Sequence, residues 1–247
     1  MAKRSARPRA MDNRYGENGD GKVRPLFAHG WDPLDGDAQT SYRRTVMPKS
    51  EGQKALIEAI ANHNLTLALG PAGCGKTYLA VTAAVEALER GRVERIILTR
   101  PAVEAGEALG FLPGDLQDKM DPFLRPLYDA LADRLGGKRV RHLLSEGSIE
   151  IAPVAYMRGR TLNNAFVVID EAQNCTYSQL KMLLTRLGWH ATMVITGDPD
   201  QSDLLDGLSG LGDIAAKLEA VEGIGVVRLD ETDIVRHPLV AKMIGVL

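Results

Sequence analysis

Leu65-Thr66-Leu67-Ala68-Leu69-Gly70-Pro71-Ala72-Gly73-Cys74-Gly75-Lys76-Thr77-Tyr78 passes from an apolar run into a glycine-rich one that fits G-x-x-x-x-G-K-[ST] at every fixed position. The run 65–69 predicts a short strand, and the stretch from Thr77 to Glu89, rich in Ala, Val and Leu, predicts a helix. Strand, glycine loop and helix in that order describe a phosphate site. Glycines let the backbone curl so that successive N–H groups face phosphate oxygens. The loop also sits on the positive end of the helix dipole, which favours a polyanion. Lys76 would reach the β- and γ-phosphates, and the Thr77 hydroxyl would be a ligand to Mg²⁺. Gly70 through Tyr78 are therefore expected to bind a nucleoside triphosphate.

Further along, Ala165-Phe166-Val167-Val168-Ile169 ends in Asp170-Glu171. An apolar run without alternation reads as a parallel strand buried on both faces, and such strands deliver their last residues to a ligand crevice. Asp170 is placed to hold Mg²⁺ opposite Thr77, and Glu171 to polarise an attacking water. Carboxylates after a strand also cap helices; with the phosphate loop upstream, the catalytic assignment is preferred. A third run, Ala191-Thr192-Met193-Val194-Ile195-Thr196, leads into Gly197-Asp198-Pro199-Asp200-Gln201. It is expected beside the Asp170 strand, with Gln201 near the γ-phosphate as sensor or water-orienting group. Spacing alone fits a tight Gly-Asp-Pro turn with an exposed Gln better.

Apolar strands alternate with helical stretches along most of the chain, which argues for an α/β sandwich with a mostly parallel sheet. Strands are expected at 65–69, 94–99, 149–152, 165–170, 191–196 and 225–229. Helices are expected at 50–62, 75–90, 121–135, 176–187, 203–221 and 232–246. Residues 102–120, with Gly106, Gly110, Pro113 and Gly114, read as a long functional loop at a strand end, suited to nucleic acid or a neighbouring subunit. Arg134, Lys138, Arg139 and Arg141 surround Gly136-Gly137 as a basic turn, and Arg158 and Arg160 flank Gly159. The first set could follow phosphates or be a solvated face, and the second could clamp the phosphates of a single strand or close the surface with ion pairs.

With 247 residues and 45% apolar content, the chain suits one α/β domain, assigned here to 41–247. Residues 1–40 read as a disordered tail whose first 25 residues are basic: Lys3, Arg4, Arg7, Arg9, Arg14, Lys22 and Arg24 outnumber Asp12, Glu17 and Asp20. The tail could touch nucleic acid or only aid solubility. It has no secretory core, and no membrane span is expected, so a cytoplasmic protein without membrane contact is the expectation. A net charge of −2 gives no global case for nucleic acid, and 5% aromatics leave few stacking platforms. Cys74 and Cys175 fit a reducing compartment. Cys74, at a helix start, is expected to have a lowered pKa and to react with thiol reagents. His142, His190 and His237 stand singly, so no metal beyond Mg²⁺ is expected.

Six segments in order, the phosphate loop, Leu98 to Leu116, Met157-Arg158-Gly159-Arg160-Thr161-Leu162, Val168 to Asn174, Thr196 to Gln201 and Asp233-Ile234-Val235-Arg236-His237-Pro238-Leu239-Val240, resemble the PhoH family over residues 45 to 247. The core of that family is similar to the first motor domain of superfamily 1 helicases. The resemblance implies a RecA-like P-loop NTPase three-layer sandwich, with ATP and Mg²⁺ as cofactors. It implies that Gln53 recognises adenine, where the bare sequence reads equally as a polar residue on a first helical turn. Arg236 matches a late arginine that contacts the γ-phosphate, in its own subunit or a neighbour's. The implied assembly is a homo-oligomeric ring, a hexamer, and the implied activity an ATPase coupled to single-stranded RNA. An ATP-gated assembly protein without motor activity is the alternative. A small-molecule kinase is disfavoured, because Asp170-Glu171 with a Gln sensor suits water as nucleophile. Relatives with an N-terminal nuclease domain need more than the fifty-odd residues that precede the core here, so no nuclease activity is expected.

Overall fold

The computed structural model describes residues 46–101, 116–205 and 207–235, with backbone alone for 116–122. Apolar runs become the strands. β1 (Leu65–Leu69) and β4 (Ala165–Ile169) are buried at every position, and β2 (Arg95–Thr99) and β5 (Thr192–Gly197) at all but the first. β3 (Ile149–Ile151) and β6 (Ile224–Arg228), more exposed, form the two edges. The sheet runs β3-β2-β4-β5-β1-β6, and every pairing is parallel.

Alternate strand residues feed two cores, as the pleat requires. Phe166, Val168 and Val194 pack beneath α1 (Glu51–Asn62), α2 (Lys76–Glu89), α3 (Leu116–Leu135) and α4 (Gly137–Ser145). Ala165, Val167, Ile169 and Ile195 pack on the other face against α5 (Tyr177–Leu184) and α6 (Leu211–Leu218). The result is a three-layer α/β sandwich of the RecA-like P-loop type, with β5 between the phosphate-loop strand and the acid-tipped strand. Register pairs Leu69 with Gly197 and Ile169 with Ile195, so β1, β5 and β4 end on one edge of the sheet.

The helices differ at their starts. Ser50 caps α1 by accepting from Gln53 N, and Thr176 and Gln179 form a reciprocal capping box on α5. α2 has no side-chain cap and is entered from Gly75 in the left-handed region, leaving its first amides available to a ligand.

Several boundaries depart from expectation. α3 begins at Leu116, so the end of the expected loop is helical; its earlier part, 102–115, lies outside the described residues. The expected basic turn is helix α4, begun from Gly136 at φ 76°. The helix expected over 203–221 is confined to Leu211–Leu218, because Ser202 and Asp203 are tied to the 173–174 turn and Gly207 has φ 77°. Residues Glu231–Asp233 form a short 3₁₀ turn, and the rest of the helix expected at 232–246 lies outside the described residues, with Arg236. The same holds for the 1–40 tail and its boundary with the domain. Among the described residues no helix is long and apolar enough to cross a membrane.

Candidate nucleotide site

The phosphate loop depends on glycine at its first position. Gly70 has φ 138°, and a Cβ there would lie 2.2 Å from the Leu229 carbonyl oxygen. Gly73 and Gly75 also have positive φ, 91° and 80°. Lys76 folds back over the loop, its Nζ donating to the Gly70 carbonyl at 2.5 Å and the Pro71 carbonyl at 2.8 Å. The loop borders a cavity of about 540 Å³ that also takes in Thr77, Asp170, Glu171, Gln173, Asp198 and Gln201. α3 closes the far wall with Pro126, Asp129, Ala130 and Asp133.

Asp170 is 2% exposed, and both the Thr77 and Thr196 hydroxyls donate to its Oδ1 at 2.6 Å. A hydroxyl and a carboxylate oxygen side by side are hard ligands of the kind Mg²⁺ takes through one or two protein groups. The residues present thus fit the ion expected from the sequence. Among the described residues no cluster of three or more His, Cys, Asp or Glu could hold another metal.

Glu171 follows in the left-handed region at φ 53°. Its Oε1 lies 3.2 Å from Arg100 Nη2, and its Oε2 accepts from Gln173 Nε2 at 2.5 Å. Gln173 Oε1 in turn accepts from the Asp198 amide at 3.1 Å, joining the acid to the turn after β5. Gly197 makes room for this bridge, since a Cβ there would sit 2.8 Å from Gln173 Oε1. Gln201 is exposed on the cavity wall, with its backbone N–H donating to the Asp198 carbonyl. Arg100, Gln173 and Thr196 had no assigned part in the sequence reading. Their only signal is position, directly after a strand or inside the Asp-Glu-Ala-Gln and Thr-Gly-Asp-Pro runs.

Gln53 lies behind the loop rather than among the residues lining the cavity. It is 5% exposed, donates from Nε2 to the Cys74 carbonyl at 3.0 Å, and accepts from the Lys49 amide at 2.9 Å. Both ends of its amide are thus engaged within the chain. The stretch after β6 supports the loop as well: the Val235 amide donates to the Gly73 carbonyl at 3.1 Å, and Cys74 Sγ to the Asp230 carbonyl at 3.4 Å. Asp233, 6% exposed, accepts from the Gly52 and Asp230 amides at 3.1 and 3.0 Å. The Ser50 hydroxyl first, then these amides, hold its carboxyl below the usual range.

Cys74 corrects the sequence expectation. It is fully buried, and burial pushes its thiol up, although Lys76 pulls the other way. Desolvation, with the carboxylates of Asp233, Asp230 and Asp198 beside it, outweighs Lys76, the reverse of the lowered pKa expected from the helix start. Burial likewise takes Cys175 up to about 12. Tyr78 donates to Asp133 at 2.7 Å, and burial followed by that carboxylate raises its phenol.

The basic sets separate. Arg134 is buried at 2% exposure, and Arg139 pairs with Glu89 at 2.7 Å, so they do not form one surface patch. Arg160 makes a two-pronged pair with Glu150 at 2.5 and 2.7 Å, which lowers the Glu150 carboxyl and raises the guanidinium. Arg158 stays exposed on the Gly159 turn.

A glycine loop on an uncapped helix, facing an acid-tipped strand across one intervening strand, is the arrangement of the P-loop NTPase fold. Residues 45–247 match the model of the PhoH-like protein family, and the chain belongs to that family. It is 56% identical over 202 residues to the PhoH-like protein of Bacillus subtilis (strain 168), an overlap of 81% of this chain and 63% of that one. It is 53% identical over 208 residues to the PhoH-like protein of Synechocystis sp., covering 84% and 63%. The chain therefore spans 63% of the length of each of these relatives. Among solved structures, the large terminase from a thermophilic bacteriophage is similar over 80% of this chain and 50% of its own, at 12% identity and a TM-score of 0.47.

Proposed function

We propose that this protein is a Mg²⁺-dependent ATPase that couples hydrolysis to single-stranded nucleic acid, RNA favoured, within a homo-oligomeric ring of six subunits. The observation that carries the catalytic part is the meeting of Thr77 and Thr196 on Asp170 Oδ1, with Glu171 next in the chain and the phosphate loop across the cavity. On this reading Lys76 exchanges the Gly70 and Pro71 carbonyls for β- and γ-phosphate oxygens, and the free amides of α2 complete the cradle. Thr77 and Asp170 would hold the metal. A Mg²⁺ held there would neutralise charge on the phosphate oxygens. Glu171 orients and polarises the attacking water. Gln201 and Arg236 contact the γ-phosphate, and a guanidinium in that role is worth ~10³–10⁵ in rate. Gln53 reads adenine by exchanging one of its two bonds within the chain for the base edge.

A second reading, an ATP-gated assembly protein with slow turnover, draws support from the Glu171 carboxylate, both oxygens of which are held by the chain itself. Steady-state ATPase rates with and without single-stranded RNA, with Glu171→Gln as control, separate the two. A coupled motor requires strong stimulation that the variant loses, with a fall of ~10²–10⁴ for removal of a general base. A slow rate indifferent to RNA selects the assembly switch.

A further inference from the structure

Arg100 stands directly after β2, followed by Pro101, and its charge is turned toward the acid rather than toward the phosphate loop. The side chain is 19% exposed and bridges two elements. Nη2 lies 3.2 Å from Glu171 Oε1, and Nη1 donates to the Phe123 carbonyl of α3 at 2.9 Å. The same helix supplies Pro126, Asp129 and Ala130 to the cavity wall. With Gln173 on the other oxygen, Glu171 is held from both sides, and the guanidinium takes up one of the acceptor directions at Oε1 that a water could use.

We propose that Arg100 is a positioning residue that restrains Glu171 and ties its release to α3, the wall of the proposed nucleotide cavity. This rests on the reading of Glu171 as the group that acts on water. The active arrangement requires the Arg100–Glu171 pair to open, so the energy of that pair is part of the barrier. When α3 shifts on a filled cavity, the Phe123 carbonyl carries the guanidinium with it and frees Oε1. Arginine suits this task because its planar fork reaches two acceptors at once, which an ammonium on a flexible stem does not fix in direction.

The test is the kinetics of Arg100→Ala and Arg100→Lys beside the native chain, with ATP affinity measured separately and thermal melting as a check on folding. Arg100→Ala is expected to raise basal kcat about two- to fivefold, the range spanned by a partly exposed ion pair. ATP affinity is expected to stay unchanged, and Arg100→Lys to fall between. In a Glu171→Gln background the Arg100→Ala effect should vanish, a dependence that a merely structural role would not produce. A folded Arg100→Ala protein whose kcat is unchanged or falls overturns the proposal. So does an effect that persists without Glu171, and an Arg100→Ala protein that melts early is judged by the Lys variant on the same criteria. Native-like hydrolysis by Glu171→Gln alone would remove the reading of Glu171 itself, whereas a dead Glu171→Gln with an indifferent Arg100→Ala removes only the restraint.

Discussion

Gly70 and Gly91 both have positive φ, 138° and 65°, but only Gly70 is pressed against a neighbour. At Gly91 a Cβ would meet nothing within 4 Å, while at Gly70 it would strike the Leu229 backbone. Gly91→Ala should cost about 1 kcal/mol, the scale of left-handed strain. Gly70→Ala should cost more than ~3 kcal/mol, strain and collision together, and abolish nucleotide binding. Urea unfolding and titration with a fluorescent ATP analogue check both; equal small losses would show that the loop relaxes around the new methyl. At this scale the sequence is readable where chemistry is local. Lys76, Thr77, Asp170 and Glu171 could be named because a few contiguous residues carry the pattern and the structure gathers all of them round one cavity. Gln173, Arg100 and Thr196 lie in the motif segments, but their roles are not legible there because each has a partner on another element. The Cys74 thiol was read in the wrong direction because a helix start is visible in sequence and burial beneath the 230–235 segment is not.

At the scale of elements, the strands and the first two helices are legible, since continuous apolar runs and a phosphate loop leave little choice of period. α4 was hidden because Gly136-Gly137 suggests a turn, whereas the first glycine only starts a helix whose Val140 and Leu143 reach the core. The contact of α1 with the 3₁₀ turn after β6 could not be seen either, as it joins Gly52 to Asp233 across most of the chain. That contact gives a pH signature. The Asp233 carboxyl is held below its ordinary value, so its stabilisation is fully present above the unfolded pKa near ~3.9 and is lost as pH falls through the lower folded value. Asp233→Asn should lower unfolding free energy by about 1–3 kcal/mol at pH 7, the scale of hydrogen bonds to a charged group. The gap between native and variant chains should shrink as pH falls below about 4. Chemical denaturation at pH 7 and pH 3 measures it; a constant gap would mean that packing, not charge, supplies the difference.

For the whole molecule, the parallel sheet collects its chemistry on one edge, at the ends of β1, β4 and β5, with α3 as the far wall of the cavity. Sequence patterning leads directly to that architecture, since helices alternating with buried strands permit few other arrangements. Assembly is a different matter, being written in surfaces that no short motif marks. A ring would let a neighbour add groups to that edge of the sheet. In ATP and Mg²⁺, light scattering should give the mass of six 26.8 kDa chains. A mass of one chain under those conditions would remove the ring from the proposal.

The supports behind the phosphate loop have a mechanical meaning. The Lys49 amide holds Gln53, Gln53 holds Cys74, and the Val235 amide holds Gly73, so the residues flanking the described core at both ends are fastened to the loop. Both flanking stretches therefore touch the phosphate loop directly, through Cys74 on one side and Gly73 on the other. A pull that peels away 230–235 unfastens Gly73 and uncovers Cys74 while β1 and β4 remain paired to β5. If the loop holds a nucleotide as proposed, loss of these contacts would loosen the cradle while the core of the sheet stayed paired.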